Sequence, residues 1–220
     1  EISNAVSVGF LINDSEISDI KIYLSQIKVT KMSYEEADKS LHENISLSML
    51  NEIAKDHKKY RDSNGAIRLD LPKTDIKVKD QKVLVLPQLH SESREMVSEM
   101  MVLAGRVIAQ YSIENNISMP YLSQASGKFS EEIIENINNL SLSKAFEAAK
   151  GFSRSKLSVT PSLHAGLGLE AYIRVTRPMR RYLDLVVQQQ LINYISGLEL
   201  LNKDEIKDRI KVINSSMSKT

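Results

Sequence analysis

Three arginines, Arg177, Arg180 and Arg181, crowd the segment "VTRPMRRYLDL". Tyr172 and Arg174 lie just before them, with Arg154 and Lys156 further upstream. From Met179 onward, the apolar residues Met179, Leu183, Val186, Val187, Leu191, Tyr194 and Ile195 recur on one face of a helix. Pro178 suits the first helical position, where its missing N–H leaves nothing unpaired. Arg177 is then the expected N-cap, with Arg180 and Arg181 in the first turn. A helix N-terminus carries about half a unit of positive charge, so cations gathered there repel it unless an anion sits among them. Basic side chains, an aromatic ring and free helix N–H groups together make a phosphate site in principle. The plainer reading is a solvated helix start. There Arg180–Asp184 and Arg181–Asp184 pairs contribute about 0.3–0.5 kcal/mol each.

The chain that must position these groups has 220 residues, enough for one large domain or one domain with an extension. Its 42% hydrophobic and 26% charged residues fit an ordinary globular protein. A net charge of +1 gives no global field, so a nucleic-acid partner needs a local patch. The absence of cysteine excludes disulfides and thiolate metal sites, and it fits a reducing, cytoplasmic setting. No apolar run is long enough for a membrane span and no signal peptide is present, so no membrane role is expected. The chain enters a strand pattern almost at once after Glu1, which reads as part of something longer.

Alternation in "AVSVGFLIN" places Val6, Val8, Phe10 and Ile12 on one strand face, and "DIKIYLSQIKV" alternates again after the turn "NDSE". Ser33 and Glu36 stand at capping-box spacing, which starts a helix. A second helix is expected over about 47–60, a strand over 66–72, and a hairpin turning at Asp80 and Gln81. The longest helix is expected from Ser91 to about Asn115. Its apolar face runs through Met96, Val97, Met100, Met101, Ala104, Val107, Ile108 and Tyr111. Two shorter helices, about 130–138 and 141–149, precede the arginine segment, and a polar helix follows from about Lys203. The pattern is α+β: antiparallel strands first, then several helices packed with them.

"HAGLGLEAYIRVTRPMRRYLDL" resembles the signature of the ribonuclease II/R family, the RNB catalytic domain. His164, Gly166, Leu167, Gly168, Leu169, Tyr172, Thr176, Pro178, Arg180, Arg181, Tyr182, Asp184 and Leu185 carry the likeness. Other segments follow in family order: "SQIKVTKMSYEEADKSL" with Tyr34, "RDSNGAIRLDLP", and "SREMVSEMMVLAG" with Glu99. The resemblance covers roughly residues 5–190. It implies an incomplete RNB-type domain over residues 1–200, and over 201–220 a helical extension leading to an RNA-binding barrel. It implies a 3′-to-5′ exoribonuclease that hydrolyses single-stranded RNA to 5′-mononucleotides, acts as a monomer and uses Mg²⁺. Arg180 would contact the scissile phosphate and Glu99 would share the catalytic role. Tyr34, Tyr172, His164, Arg174, Arg177 and Arg181 would contact RNA.

The sequence departs from that pattern at several points. The family's metal-binding aspartate run, ending in Asp-Asp-Ala, does not occur; Asp14, Asp19 and Asp38 are scattered. No metal ligand is therefore assigned, and this chain alone is not expected to hydrolyse RNA. Arg177 replaces a family serine, Gln188 and Gln189 replace His-Arg, and Leu69 is aliphatic where some members have an aromatic. The alternative is a degenerate RNB-like protein that binds RNA without cutting it.

Overall fold

The computed structural model describes residues 2–67, 74–79, 82–87, 90–127 and 142–217. The expected strand at 66–72 falls almost wholly outside them, as do Leu69, the turn at 80–81 and the helix at 130–138. Strand β1 (Ile2–Asn13) pairs antiparallel with β2 (Glu16–Lys28) through a two-residue turn. Asp14 and Ser15 both have positive φ, 46° and 69°, the handedness that matches strand twist in a tight hairpin. The register shifts between Gly9 and Leu11, so β2 carries one extra residue there, with Asp19 at φ 48°. Val6, Val8, Phe10 and Ile12 all pack inward, as their alternation predicts, and Ile17 and Ile22 of β2 are buried. Leu24, which continues the same alternation, stays exposed.

Helix α1 (Tyr34–Ser40) opens on the expected capping box: Glu36 N–H donates to Ser33 Oγ at 3.2 Å, and Ser33 N–H to Glu36 Oε2 at 2.7 Å. Helix α2 (Ile45–Ser63) is capped by Asn44. Strands β3 (Thr74–Lys79) and β4 (Lys82–Pro87) form a second hairpin. Helix α3 (Glu92–Glu114), capped by Ser91, is the central pillar. It buries Met96, Leu103, Val107, Ile108 and Ala109, which join three of the four apolar clusters. Two details differ from the periodic reading. Val97 is exposed and Leu103 is fully buried, because α3 is covered by α2 on one side and by the first hairpin on another.

Strand β5 (Tyr121–Ser123) pairs with β6 (Lys156–Ser158), and α4 (Leu142–Gly151) lies between them in sequence. Helix α5 (Tyr182–Ile195) buries Val187 and Leu191 in the main core with Ile173 and Val175. Its other apolar side, Leu183 and Val186, meets Ile206 and Ile210 of α6 (Lys203–Met217). The α+β architecture with antiparallel pairing is the one expected.

Candidate functional site

The arginine helix begins later than its periodicity suggests. Arg181, not Arg177, is the N-cap residue, and α5 starts at Tyr182. Residues 177–181 instead close a turn, with the N–H groups of Arg180 and Arg181 donating to Arg177 O at 3.2 and 3.0 Å. The physical cause is Asp184. Its carboxylate accepts the Arg177 N–H at 3.0 Å, folding the chain back over the helix start. Pro178 fits such a turn as well as it fits a first helical position, since φ is fixed near the value both require. Met179 is thereby expelled from the apolar face and is 97% exposed. Gln188, one of the departures from the family pattern, helps hold this arrangement: its side-chain amide donates to Val175 O at 3.1 Å, two residues before Arg177.

The three arginines differ in what answers their charge. Arg181 lies 3.9 Å from the buried Asp184 carboxylate. Arg177 is half-buried and Arg180 is exposed; neither makes an ion pair with another described residue. Asp184 thus meets the Arg181 guanidinium and the Arg177 backbone N–H, and its Oδ1 has no hydrogen-bond partner among the described residues.

Behind this turn runs the segment from His164 to Ile173. Its short 3₁₀ turn, Ala165–Leu167, ends at Gly168, whose φ of +63° and contact with Arg61 O leave no room for a side chain. Tyr172 lies against Gly105 of α3, where a Cβ would collide with its ring. His164 meets the same ring edge-on, centroids 5.8 Å apart. Burial pushes the Tyr172 hydroxyl up and the His164 imidazole down. Both residues, expected to touch RNA, are thus placed in the wall: His164 is 7% exposed and Tyr172 half-buried. Arg174, half-buried, sits between this wall and the arginine turn.

Glu99 does not lie on a solvated face, the plain expectation for a charge in this helix. It is 7% exposed and held by a planar fork from α2, with Arg61 Nε and Nη2 each donating at 2.6 Å to its two oxygens. His57 Nδ1 bonds the same carboxylate at 2.9 Å. Burial alone would raise the Glu99 carboxyl; the hydrogen bonds from His57 and Arg61 outweigh it and bring it to about 2. Burial drives the fully enclosed His57 down, against the pull of Glu99. Because an ionised carboxylate only accepts, Nδ1 is the donor in this bond. His57 stacks on Tyr60, which Arg106 covers on its ring at 4.0 Å from the centroid. Arg61 and His57 were not singled out from sequence. A cation and a histidine four residues apart on a polar helix carry no mark of burial; only their shared helix face hints at a common partner.

Tyr34, at the first position of α1, is 39% exposed, and Arg94 covers its ring at 4.4 Å from the centroid. Ser93 ties this corner together: its hydroxyl donates to Tyr34 O and its N–H to Asp38 Oδ1. Among the described residues these acids are each taken up by protein partners: Asp38 answers Ser93, Asp184 answers Arg177, and Glu99 answers Arg61 and His57. Among the described residues no group of three or more His, Cys, Asp or Glu could hold a metal ion.

The RNB domain family matches residues 1–197. The chain belongs to the RNB domain family. Its sequence is 35% identical over 202 residues to an uncharacterised ribonuclease of Synechocystis, covering 88% of this chain and 30% of that protein. It is 29% identical over 211 residues to a chloroplastic and mitochondrial ribonuclease II of Arabidopsis thaliana, covering 88% and 26%. The fold matches Mycoplasma genitalium RNase R, solved with ribose-methylated single-stranded RNA, at a TM-score of 0.77 and 19% identity over 96% of this chain and 40% of that one. The chain thus spans under a third of the two sequence relatives' lengths.

Proposed function

We propose that this chain forms the RNA-holding part of a 3′-to-5′ hydrolytic exoribonuclease that degrades single-stranded RNA to 5′-mononucleotides. The observation that carries the proposal is the turn at 177–181, which gathers three arginines, of which only Arg181 has a carboxylate near it and Arg180 stands exposed without an ion-pair partner among the described residues. Arg180 is the residue to engage the scissile phosphate, because a donor on an exposed turn can follow charge as it develops on the phosphoryl oxygens. Arg177 and Arg181 hold neighbouring phosphates. Tyr34, backed by Arg94, offers an aromatic surface for a base, a contact that is indifferent to sequence. The relatives' names, ribonucleases in each case, support the reading. Mg²⁺ would come to residues beyond this chain, in a monomeric, cytoplasmic enzyme.

The test is fluorescence anisotropy of a labelled single-stranded oligoribonucleotide titrated with the purified chain across a salt series. Binding is expected to weaken steeply with salt, since each phosphate contact releases counterions. Mg²⁺-dependent release of mononucleotides is not expected from the chain itself. Binding that ignores salt, or none at all, would refute the proposal. The RNA-clamping alternative is separated by assaying the longer protein: tight salt-dependent binding without any mononucleotide release favours the clamp.

A further inference from the structure

Glu99 is 7% exposed and turned toward partners inside the protein, which leaves it little access to an RNA ligand. Both of its oxygens are engaged by the Arg61 fork, and one also by His57. Arg61 reaches further than this pair. Its remaining terminal nitrogen, Nη1, donates to Leu167 O at 3.2 Å, inside the 3₁₀ turn of the glycine segment. Its own carbonyl accepts the Ala66 N–H at 2.9 Å and abuts Gly168. One residue therefore joins the C-terminal end of α2, the middle of α3 and the segment that carries His164 and Tyr172. That segment runs without a break into Arg174 and the arginine turn.

We infer that Arg61, locked by Glu99 and His57, is a positioning residue: it sets the glycine segment, and through it the wall beside the arginine turn, in the geometry that receives RNA. The inference rests on the RNA-holding role proposed above. Glu99 acts through Arg61 and does not touch RNA. Burial supports the division of labour. Arg61 is 5% exposed and His57 fully buried, so neither is accessible to phosphate. Lysine cannot replace Arg61, because a single ammonium lacks the planar fork that serves two carboxylate oxygens and a carbonyl together.

The experiment compares wild type, Arg61→Lys and Glu99→Gln by native-state hydrogen exchange and by RNA anisotropy across a salt series. In both variants the amides of His164, Leu167, Gly168 and Leu169 should exchange at least about tenfold faster, relative to Val187 and Leu191 in α5, as the segment's local opening becomes easier. RNA affinity should fall about tenfold or more, as misplacement of a supporting group does. The slope of log K against log salt should not change, because no phosphate contact is removed. A slope lowered by about one unit in Arg61→Met, which removes the charge that lysine keeps, would mean that Arg61 touches phosphate itself, and would overturn the inference. So would equal loss of protection in the glycine segment and α5, which is the mark of a merely structural pair. A wild-type chain that binds no RNA would defeat the functional reading instead. The exchange comparison would then still decide whether Arg61 holds the segment.

Discussion

Two arginine sites in this molecule treat charge in opposite ways. Arg61 is buried and matched, with each polar nitrogen of its fork facing an oxygen 2.6–3.2 Å away. The turn at 177–181 is open and largely unmatched: among the described residues only the Arg181 guanidinium has an acid near it, Asp184 at 3.9 Å, which also accepts the Arg177 backbone N–H. A buried charge must be neutralised where it stands, since its desolvation is not recovered from anything arriving later. An exposed charge can wait for a ligand. The same residue type thus builds the frame in one place and the receptor in the other. They are linked through the segment from Leu167 to Val175.

Breaking the buried site should have the largest effect. Glu99→Ala leaves Arg61 buried without its counter-charge, a change that typically costs about 3–5 kcal/mol. Urea denaturation should show the midpoint falling accordingly with little change in slope. A loss under about 1 kcal/mol would mean that the pair is not enclosed as described. Acid should attack the same site. His57 and His164 are held below the ordinary histidine value, and Glu99 at about 2 against an ordinary 4.5. All three bind fewer protons folded than unfolded, so stability rises with pH through their window. Their contribution is full above about pH 6.5 and shrinks as the histidines begin to bind protons in the unfolded chain. It shrinks further below about 4.5 as Glu99 approaches its folded value. Thermal melts from pH 7 down to 4 should show a progressive fall in Tm, flattened between pH 6.5 and 5 in His57→Gln. An unchanged pH profile in that variant would remove His57 from the account.

How the two sites were legible follows the same division. The exposed one declared itself: arginines at close spacing beside proline are visible in any reading of residues 175–185. The antiparallel hairpin at the chain start, the Ser33–Glu36 box and the long helix from about Ser91 were equally plain, because short-range geometry fixes them. The buried site was half hidden. Glu99 was noticed only through a resemblance, and its plain reading as a solvated charge is wrong because α2 lies against that face of α3. The partner Arg61 is 38 residues away in sequence, and no local pattern encodes a pairing at that distance. The helix start was misplaced for a related reason. Periodicity reports which face is apolar, and Met179 fits that face, but the hydrogen bond from Arg177 N–H to Asp184 decides where helical geometry begins.

Removing Asp184 from the open site is the next step down. Asp184 is fully buried, and its bond to Arg177 N–H fixes the turn. Asp184→Ala should cost about 1.5–3 kcal/mol, the range for a hydrogen bond to a charged group. It should also weaken RNA binding, because the arginines lose their common frame. Tighter binding in Asp184→Ala would show instead that the carboxylate competes with phosphate, and that the turn keeps its shape without it.

Between the arginines the comparison becomes finer. Arg180→Ala should leave the melting temperature unchanged and lower the salt slope by up to about one unit. Arg181→Ala should lower it less, since its guanidinium is shared with Asp184 at 3.9 Å. Equal slopes for the two variants would contradict the assignment of Arg180 as the free phosphate donor.

The smallest effect is expected where the family carries serine. Had Arg177 been the N-cap, Arg177→Ser would have restored a capping hydroxyl and about 1 kcal/mol of stability. In the structure the cap position is Arg181, and what holds Arg177 is its backbone N–H, which any non-proline residue supplies. Arg177→Ser should therefore shift stability by no more than about 0.5 kcal/mol, the usual range for a surface change. RNA affinity should drop slightly and evenly across sequences, because one cation of three is lost and no base contact is touched. Calorimetry and the anisotropy series on the same preparation separate the two effects. A clear rise in melting temperature would mean that serine does cap here. Helix α5 would then extend back to residue 178 in solution, bringing Met179 onto its apolar face and carrying the arginines into the first helical turn.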